Sequence, residues 1–271
     1  MNTKLIIIAL GAVFLFHCKS ETKPPENKTE KETTPQIGFE NLKSYPHDTN
    51  SFTEGFLIFG GKLYESTGAT KELPQTKSLF GIVDLKTGKI ETKVEIDKVK
   101  YFGEGITILN GKVFQLTYTT KIGFVYDAKT FKKIGEFTFP SQEGWGMTTD
   151  GKSLIMSDGT NILTYLDPNT LKVEKTLRVT ESGYAKDNLN ELEYINSYIY
   201  ANIWSTNIIV KINPDDGNIV GKLDLTSLSQ EANLIYPNAL EMNGIAFDST
   251  SQSIFITGKM WPKIFEIKIG N

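Results

Sequence analysis

Short apolar, strand-like runs separated by turn signals follow one another along most of this chain. Two of the turns are residues 84–88, Asp-Leu-Lys-Thr-Gly, and residues 167–170, Asp-Pro-Asn-Thr. Asp and Asn cap such turns through their side chains, and Gly supplies the left-handed backbone position. Short strands joined by hairpin turns at regular spacing predict an all-β sandwich, barrel or propeller.

One motif precedes the first strand of each predicted unit. Its fullest copy is residues 101–105, Tyr-Phe-Gly-Glu-Gly, followed by an apolar run at residues 106–109. Because glycine permits close backbone approach and a positive φ, we expect the carboxylate of Glu104 to lie on a bare turn rather than in a packed strand. The other copies are residues 52–55, 143–146, 190–193 and 242–244.

The motif recurs at intervals of roughly 40 to 50 residues, which indicates stacked supersecondary units such as the four-stranded blades of a propeller. The fifth unit lacks a fourth strand, while a spare strand-like segment, residues 37–45, precedes the first unit. We therefore predict that residues 37–271 form a five-bladed β-propeller of antiparallel, four-stranded blades. The N-terminal segment should complete the last blade. An open two-sheet sandwich is the alternative.

The motif residues should converge at one mouth of the central channel, because the first strand of each blade lies beside that channel. Aromatic walls with a few convergent polar groups are the usual makeup of a small-molecule site. The predicted lining from the motifs and from nearby loops is Phe52, Glu54, Phe102, Glu104, Tyr118, Trp145, Asn190, Glu191, Trp204, Asn243, Lys259 and Trp261.

Several of these residues also have a purely structural interpretation. Trp145 and Trp204 could pack between blades, since large aromatic side chains fill cores well. Glu104 could accept hydrogen bonds from backbone N–H groups of its turn, and Lys259 could be a surface lysine. Either interpretation is compatible with the sequence alone.

The N-terminal residues resemble an export signal. Lys4 is followed by an apolar run that is shorter than the roughly 20 residues of a membrane-spanning helix, and Cys18 follows that run. We expect residues 1–18 to be a bacterial lipoprotein-type signal with Cys18 lipidated, although a cleaved signal with an incidental cysteine is the alternative. Residues 19–36 contain almost no apolar side chains, so we expect a disordered tether. The protein would then be exported and held on the membrane, in the periplasm or at the cell surface.

Composition excludes several classes of function. The net charge of −3 and the absence of a basic block make nucleic acid an unlikely partner. Cys18 is the only cysteine and His47 the only histidine of the predicted folded part, which argues against a zinc site. A Ser-His-Asp hydrolase is not supported either, and His47 is interpreted as a loop residue. Ring closure leaves few open strand edges, so we expect a monomer.

Taken together, the motifs resemble those of the glutamine cyclotransferase family, the plant and bacterial type of glutaminyl-peptide cyclase. The resemblance implies a five-bladed propeller, in agreement with the count above. It also implies that the N-terminal glutamine of a peptide or protein is converted to pyroglutamate with release of ammonia. The matching segments are residues 45–48, 52–55, 101–105, 144–146, 189–194, 202–204 and 258–262.

The resemblance implies a role for each matching site residue. Glu104 matches the carboxylate that shuttles the proton in this family. Lys259 and Asn190 match residues that hold the carboxamide and the tetrahedral oxygen. The aromatic walls of the family match Phe52, Phe102, Trp145 and Trp204.

Two positions depart from the pattern that we expect of the family. Glu54 stands where Gln is expected more often, and Tyr118 stands where Trp is expected. Two channel carboxylates would repel each other and raise one pKa, unless Glu54 pairs with Lys259 or with the substrate amine. Some family members hold calcium in the channel, to which Glu191 could contribute, but no cofactor is required and zinc is not expected.

Two other functions compete with the cyclase. One is a lipoprotein propeller that binds peptides without chemistry, which would follow if Glu54 has disabled the site. The other is a calcium-dependent, lactonase-like propeller hydrolase, which needs several channel oxygen ligands on one ion.

Overall fold

A computed structural model describes residues 33–270, which form a ring of five antiparallel, four-stranded sheets. The first strand of each sheet packs against the first strands of the two adjacent sheets, so these strands surround a central channel. The predicted five-bladed β-propeller is therefore confirmed, and the two-sheet sandwich is wrong. No helix within the described residues has the length and apolar character needed to cross a membrane.

The strands follow the chain in blade order, after the N-terminal strand β1 (Phe39–Pro46). Blade one contains β2 (Thr53–Phe59), β3 (Lys62–Thr67), β4 (Leu79–Asp84) and β5 (Lys89–Glu95). Blade two contains β6 (Gly103–Leu109), β7 (Lys112–Thr117), β8 (Ile122–Asp127) and β9 (Lys133–Thr138). Blade three contains β10 (Met147–Thr149), β11 (Leu154–Met156), β12 (Ile162–Leu166) and β13 (Val173–Arg178).

A short hairpin then leads to the last two blades. The hairpin is β14 (Thr180–Glu181) and β15 (Tyr184–Ala185). Blade four contains β16 (Leu189–Ile195), β17 (Tyr198–Ile203), β18 (Ile208–Ile212) and β19 (Ile219–Asp224). Helix α1 (Thr226–Ile235) connects it to blade five, which contains β20 (Met242–Asp248), β21 (Ser253–Gly258) and β22 (Lys263–Ile269).

The N-terminal strand closes the ring as predicted. β1 pairs with β22 in antiparallel register, with Phe39 opposite Ile269 and Pro46 opposite Lys263. Blade five thus takes its fourth strand from the start of the folded region. This arrangement joins the two ends of the ring through backbone hydrogen bonds.

The hydrophobic core is divided among the interfaces between blades. Within residues 33–270, five apolar clusters lie one at each interface between neighbouring blades. The cluster between blades five and one contains Phe56, Phe255 and Ile264, so the seam of the ring is packed like the other interfaces. Burial of apolar surface stabilises a fold by about 25 cal/mol per Å², so each blade depends on both of its neighbours.

The motif forms a β-bulge in four of the five blades that the structure describes. The register with the second strand shifts at Glu54, at Glu104 and the following glycine, at Asn190 and Glu191, and at Asn243 and Gly244. A bulge bends the strand and turns a side chain in a new direction. Glu104 therefore lies in a bulge within β6, and the prediction that it lies on a bare turn is wrong.

The glycines of the motif allow neighbouring blades to approach closely. The N–H of Gly105 donates a 2.7 Å hydrogen bond to the carbonyl of Trp145 in the next blade. A Cβ atom on Gly105 would lie 2.4 Å from the backbone nitrogen of Met147. A Cβ atom on Gly146 would lie 2.2 Å from the backbone carbonyl oxygen of Asn190. Glycine is needed at these positions because backbone, not solvent, occupies the space of its missing side chain.

Three features differ from the sequence prediction or lie beyond it. Helix α1 was not predicted; its Leu228 and Ala232 pack into the cluster between blades four and five. The folded region begins slightly before residue 37, since Pro35 and Ile37 form backbone hydrogen bonds with Lys222 of β19. The predicted signal at residues 1–18, the lipidation of Cys18 and the tether up to residue 32 lie outside the described residues.

Candidate active site

A cavity of about 270 Å³ opens at one mouth of the channel. Its volume is below the range of about 300 to 1,000 Å³ for drug-sized ligands, which suits the end of a chain better than a large molecule. All nine lining residues belong to the set predicted from the sequence. They are Phe52, Glu54, Phe102, Glu104, Tyr118, Trp145, Asn190, Trp204 and Lys259.

Two opposite charges from distant parts of the chain meet in the cavity. The Nζ of Lys259 lies 2.8 Å from Oε1 of Glu54, and both side chains are almost fully buried. The second oxygen of Glu54 accepts a 2.9 Å hydrogen bond from Nδ2 of Asn243, which also donates to the carbonyl of Thr53. The sequence left open whether Glu54 repels Glu104, pairs with Lys259 or binds the substrate amine. The structure contains the pair with Lys259.

The carboxyl group of Glu104 lies in the same cavity and is only 4 % exposed. Burial raises its pKa well above the usual value, the charge of Glu54 raises it further, and Lys259 opposes the shift. Burial also raises the pKa of Glu54 to about 7, although Lys259 opposes that shift as well. Two neighbouring buried carboxyls facing one ammonium group favour a state in which one of them keeps its proton.

The pKa of Lys259 is raised for the complementary reason. Burial alone would lower it, but the charges of Glu54 and Glu104 outweigh burial. Lys259 therefore keeps its charge, and its Nζ lies 4.6 Å from the centre of the Phe52 ring. The site thus has a fixed positive charge on one wall.

Aromatic rings form most of the remaining wall. Phe102 contacts Phe52 edge-on at 5.8 Å between centroids and Tyr118 at 5.9 Å. On the other side, Trp145 and Trp204 meet edge-on at 5.8 Å. Trp204 is 41 % exposed, which places it at the rim of the cavity rather than between blades.

Asn190 has a buried amide oxygen without a partner. Its side chain lines the cavity and is 3 % exposed, and Oδ1 accepts no hydrogen bond from the residues that the structure describes. A buried acceptor left unpaired costs about 1–3 kcal/mol, so such an atom in a pocket points to an N–H donor on a ligand.

Three predicted lining residues lie elsewhere. Trp261 is fully buried beside Phe265, and its Nε1 donates to the carbonyl of Leu240. Asn243 lies behind Glu54 and supports it. The prediction that these two side chains line the cavity is wrong, because the loop after β21 and the bulge in β20 turn them into the blade contacts.

Glu191 also lies outside the cavity and acts as a brace between blades. Its two carboxyl oxygens accept hydrogen bonds from the backbone N–H of Phe56 in blade one and of Ile245 in blade five. Within residues 33–270, no group of three or more His, Cys, Asp or Glu side chains is arranged to hold a metal ion. Calcium near Glu191 stays a prediction.

Two further residues of the site region were not identified from the sequence. Glu143 accepts a 2.9 Å hydrogen bond from Nε1 of Trp145 and interacts with the hydroxyl of Tyr118, so it orients two walls of the cavity. His47 follows β1 outside any strand, as predicted, but its ring is fully buried against Glu65. The pattern around Glu143 offered a signal, since it begins the motif of blade three, whereas no local signal linked His47 to Glu65.

Comparisons with known proteins point to one family. The family model described as "Glutamine cyclotransferase" matches residues 11–269. The chain is 39% identical over 262 residues to a glutaminyl-peptide cyclotransferase from Arabidopsis thaliana, covering 96% of this chain and 80% of the relative. It also matches the crystal structure of Myxococcus xanthus glutaminyl cyclase with a TM-score of 0.77 and 29% identity, over 88% of this chain and 98% of the other. The chain belongs to the glutamine cyclotransferase family.

Proposed function

We propose that this protein converts the N-terminal glutamine of peptides or proteins to pyroglutamate and releases ammonia. Family membership and the similarity to the plant cyclotransferase support this activity. The observation that carries it is the cavity itself, in which the buried carboxyl of Glu104 lies with Lys259 and the unpartnered oxygen of Asn190.

The reaction is intramolecular, so the protein mainly has to fold the substrate. The α-amine of the terminal glutamine attacks the carbon of its own γ-carboxamide and closes a five-membered lactam. Holding the reacting atoms in the right geometry can replace much of the entropic cost of the reaction. The aromatic walls of the cavity would hold the aliphatic part of the side chain in its curled form.

Glu104 is proposed to move one proton. When the new C–N bond forms, the amine gives a proton to the Glu104 carboxylate. When the bond to the amide nitrogen breaks, the Glu104 carboxyl returns this proton and ammonia leaves. Positioned proton transfer of this kind contributes about 10²–10⁴-fold to a rate, and the raised pKa of Glu104 suits a group that must both take and give a proton.

Lys259 and Asn190 are proposed to hold the reacting group. Lys259 donates one of its N–H groups to Glu54 and has others left for the oxygen that becomes negative in the tetrahedral intermediate. The free Oδ1 of Asn190 would accept an N–H of the carboxamide and so orient the leaving nitrogen. Glu54 is proposed to hold Lys259 in place and to be the second carboxyl that keeps the pKa of Glu104 high.

We also propose that the protein is an exported lipoprotein with Cys18 as its lipidated first residue. The support for this proposal is the N-terminal sequence alone. Mass spectrometry of the protein extracted from membranes checks it, and recovery of an unmodified Cys18 in a soluble fraction contradicts it.

An ammonia-release assay on glutaminyl dipeptides, with and without a chelator, tests the activity. Glu104→Gln should lower kcat by about 10²–10⁴-fold, because it removes the proton carrier and keeps the shape of the side chain. Glu193→Gln is the matched control, since it makes the same replacement at another carboxyl of raised pKa that lies outside the cavity.

Four outcomes would contradict the proposal in whole or in part. No ammonia release by the folded wild-type protein would exclude the cyclase, and tight binding of Gln-peptides without turnover would favour the binding propeller. Equal losses of kcat in Glu104→Gln and Glu193→Gln would indicate a general loss of structure rather than a proton-transfer role of Glu104. Activity that a chelator abolishes would require a metal and favour a calcium-dependent reaction.

A further inference from the structure

A buried ion pair contacts the two chain segments that contain Glu54 and Lys259. The Nε2 of His47 is 3.1 Å and 3.2 Å from the two carboxyl oxygens of Glu65, and both side chains are fully buried. His47 follows β1, the strand that closes the ring, and Glu65 lies in β3 of blade one. The proposed reaction uses neither residue.

The hydrogen-bond partners of His47 favour its doubly protonated form. Nδ1 lies 2.8 Å from the carbonyl oxygen of Trp261, which can only accept, so Nδ1 carries a proton. Nε2 faces a carboxylate that also accepts a 2.7 Å hydrogen bond from the hydroxyl of Thr53, so Nε2 is a donor as well. Both nitrogens donate only in the imidazolium. Burial would lower the pKa of His47, but the charge of Glu65 outweighs burial and raises it.

His47 contacts both sides of the segment that presents Lys259. The hydroxyl of Thr257, two residues before Lys259, lies 3.2 Å from Nδ1 of His47, and the carbonyl of Trp261, two residues after it, accepts the Nδ1 proton. Between these contacts, Met260 takes a left-handed φ of 59°, which costs free energy in a non-glycine residue. The segment therefore keeps a strained conformation that His47 helps to hold.

The pair reaches Glu54 through its neighbour in sequence. Thr53, whose hydroxyl donates to Glu65, immediately precedes Glu54. Its hydroxyl also lies 3.4 Å from the carbonyl of Gly258, the residue before Lys259. The two chain segments whose side chains form the 2.8 Å ion pair in the cavity are thus both fastened to His47 and Glu65.

We propose that His47 and Glu65 are positioning residues that fix Lys259 and Glu54 in the active cavity. The proposal rests on the proposed function for the role of Lys259 in the reaction. In this proposal, the ion pair beside the ring-closing strand β1 serves catalysis as well as stability. Neither residue touches the cavity, so each acts only through the segments that it holds.

A neighbouring contact on the same seam supplies a control. Tyr45, two residues before His47, donates a 2.6 Å hydrogen bond to the carboxylate of Glu266 in β22. This contact also joins β1 to the last blade, but it does not touch the segment from Thr257 to Trp261. If His47 served ring closure alone, its substitution and that of Tyr45 should have similar effects on kcat. If His47 positions Lys259, only its own substitution should lower kcat.

The experiment compares His47→Gln and Glu65→Gln with Tyr45→Phe in two measurements. Steady-state kinetics on a glutaminyl dipeptide separate kcat from KM. Acylation of Lys259 by an amine-reactive reagent, followed by peptide mass spectrometry, reads the position of this lysine without requiring turnover. The exposed Lys268 of β22 is the internal reference.

We expect His47→Gln and Glu65→Gln to lower kcat by about 10- to 100-fold, with a smaller change in KM, because a small displacement of an oxyanion-binding group acts mainly on the transition state. Labelling of Lys259, which is 7 % exposed in the intact protein, should rise several-fold relative to Lys268. Tyr45→Phe should lower the melting temperature but leave kcat and the labelling of Lys259 at wild-type values.

Wild-type kcat and wild-type labelling in folded His47→Gln and Glu65→Gln would overturn the proposal, as would the same losses in Tyr45→Phe. If His47→Gln does not fold, Thr257→Val carries the comparison, since it removes one contact of His47 and keeps the side-chain volume. A wild-type protein that releases no ammonia would refute the proposed function, while the labelling of Lys259 would still decide whether His47 and Glu65 hold it.

Discussion

At the scale of single residues, the central feature is a cluster of two carboxyls and one ammonium group enclosed by aromatic rings. Glu54 and Glu104 have raised pKa values because burial disfavours their charged forms, while Lys259 stays charged because they lie beside it. The cluster can therefore hold a proton near neutral pH. A group that is half protonated near the working pH is suited to proton transfer in both directions.

Glu54→Gln should move the acidic limb of the pH profile of kcat/KM to lower pH. The charge of Glu54 is one cause of the raised pKa of Glu104, so its removal lets Glu104 lose its proton at lower pH. The amide oxygen of Gln can still accept a hydrogen bond from Lys259 or Asn243, so kcat should stay within about tenfold of wild type. An acidic limb that does not move would show that the two carboxyls do not interact in this way.

At the scale of elements, the bulged first strands of blades one, two and four each supply one polar residue to the site, and Lys259 follows β21 of blade five. Glu54, Glu104 and Asn190 at these bulges line the cavity, while Asn243 at the bulge of blade five supports Glu54. Strand β16 uses the rest of its polar residues for bracing: Glu191 bonds blades one and five, and Glu193 accepts a 2.9 Å hydrogen bond from the N–H of Phe247. Burial raises the pKa of both carboxyls, so these braces make stability depend on pH.

Glu193→Gln should flatten the dependence of stability on pH between about pH 4.5 and 8. Burial raises the pKa of Glu193 to about 8, so in this window the folded state keeps a proton that the unfolded state has lost. The free energy of unfolding that this proton contributes is fully present below the unfolded pKa and is lost as the pH rises to the folded value. Gln cannot ionise and has no such slope.

Urea unfolding of wild type and Glu193→Gln at pH 5, 6, 7 and 8 measures this difference. The stability of the variant relative to wild type should increase with pH. His47, whose pKa is also raised, contributes a slope of the same sign in both proteins and cancels in the comparison. Parallel curves would mean that Glu193 ionises alike in the folded and unfolded states.

At the scale of the whole molecule, two carboxylates outside the cavity lie beside the mouth of the channel. Glu143 lies beside Trp145 on one side, and Glu241 lies close enough to Glu54 and Lys259 on the other to raise the pKa of both. Glu241 also lines a neighbouring depression of about 270 Å³ with Ser205 and Leu240. A substrate that continues out of the cavity past the exposed Trp204 would meet this charge.

Peptides with Lys after the terminal Gln should therefore have a higher kcat/KM than peptides with Glu in that position. A single partly exposed charge pair should change the ratio of the two kcat/KM values by roughly two- to fivefold, and this preference should weaken at high salt. Glu241→Gln should reduce the ratio of the two kcat/KM values. Glu136→Gln on the outer strand β9 is the control, because it removes the same charge far from the mouth. A ratio near one for the wild type would contradict the prediction.

Strands, turns and the repeat could be predicted from the sequence because each depends on residues that are close together in the chain. Turn residues at fixed offsets and apolar runs of strand length recur in every blade, and a ring of such units brings the first strands together. All nine residues around the cavity were therefore predictable, although their roles in the reaction remain predictions. The family resemblance indicated that Lys259 and Asn190 act together with Glu104. The sequence pattern alone gave no roles to these residues.

The contacts that give these residues their chemistry join segments far apart in the chain, and no local pattern contains them. The bulges place Glu54 against Lys259 and leave Asn190 unpaired, the loop after β21 turns Trp261 into the core, and β1 brings His47 to Glu65. Such contacts depend on how five blades pack into one ring, where a shift of about one ångström changes which groups meet. Local sequence specifies which side chains reach the channel mouth, and the closed ring specifies which of them touch and which keep a proton.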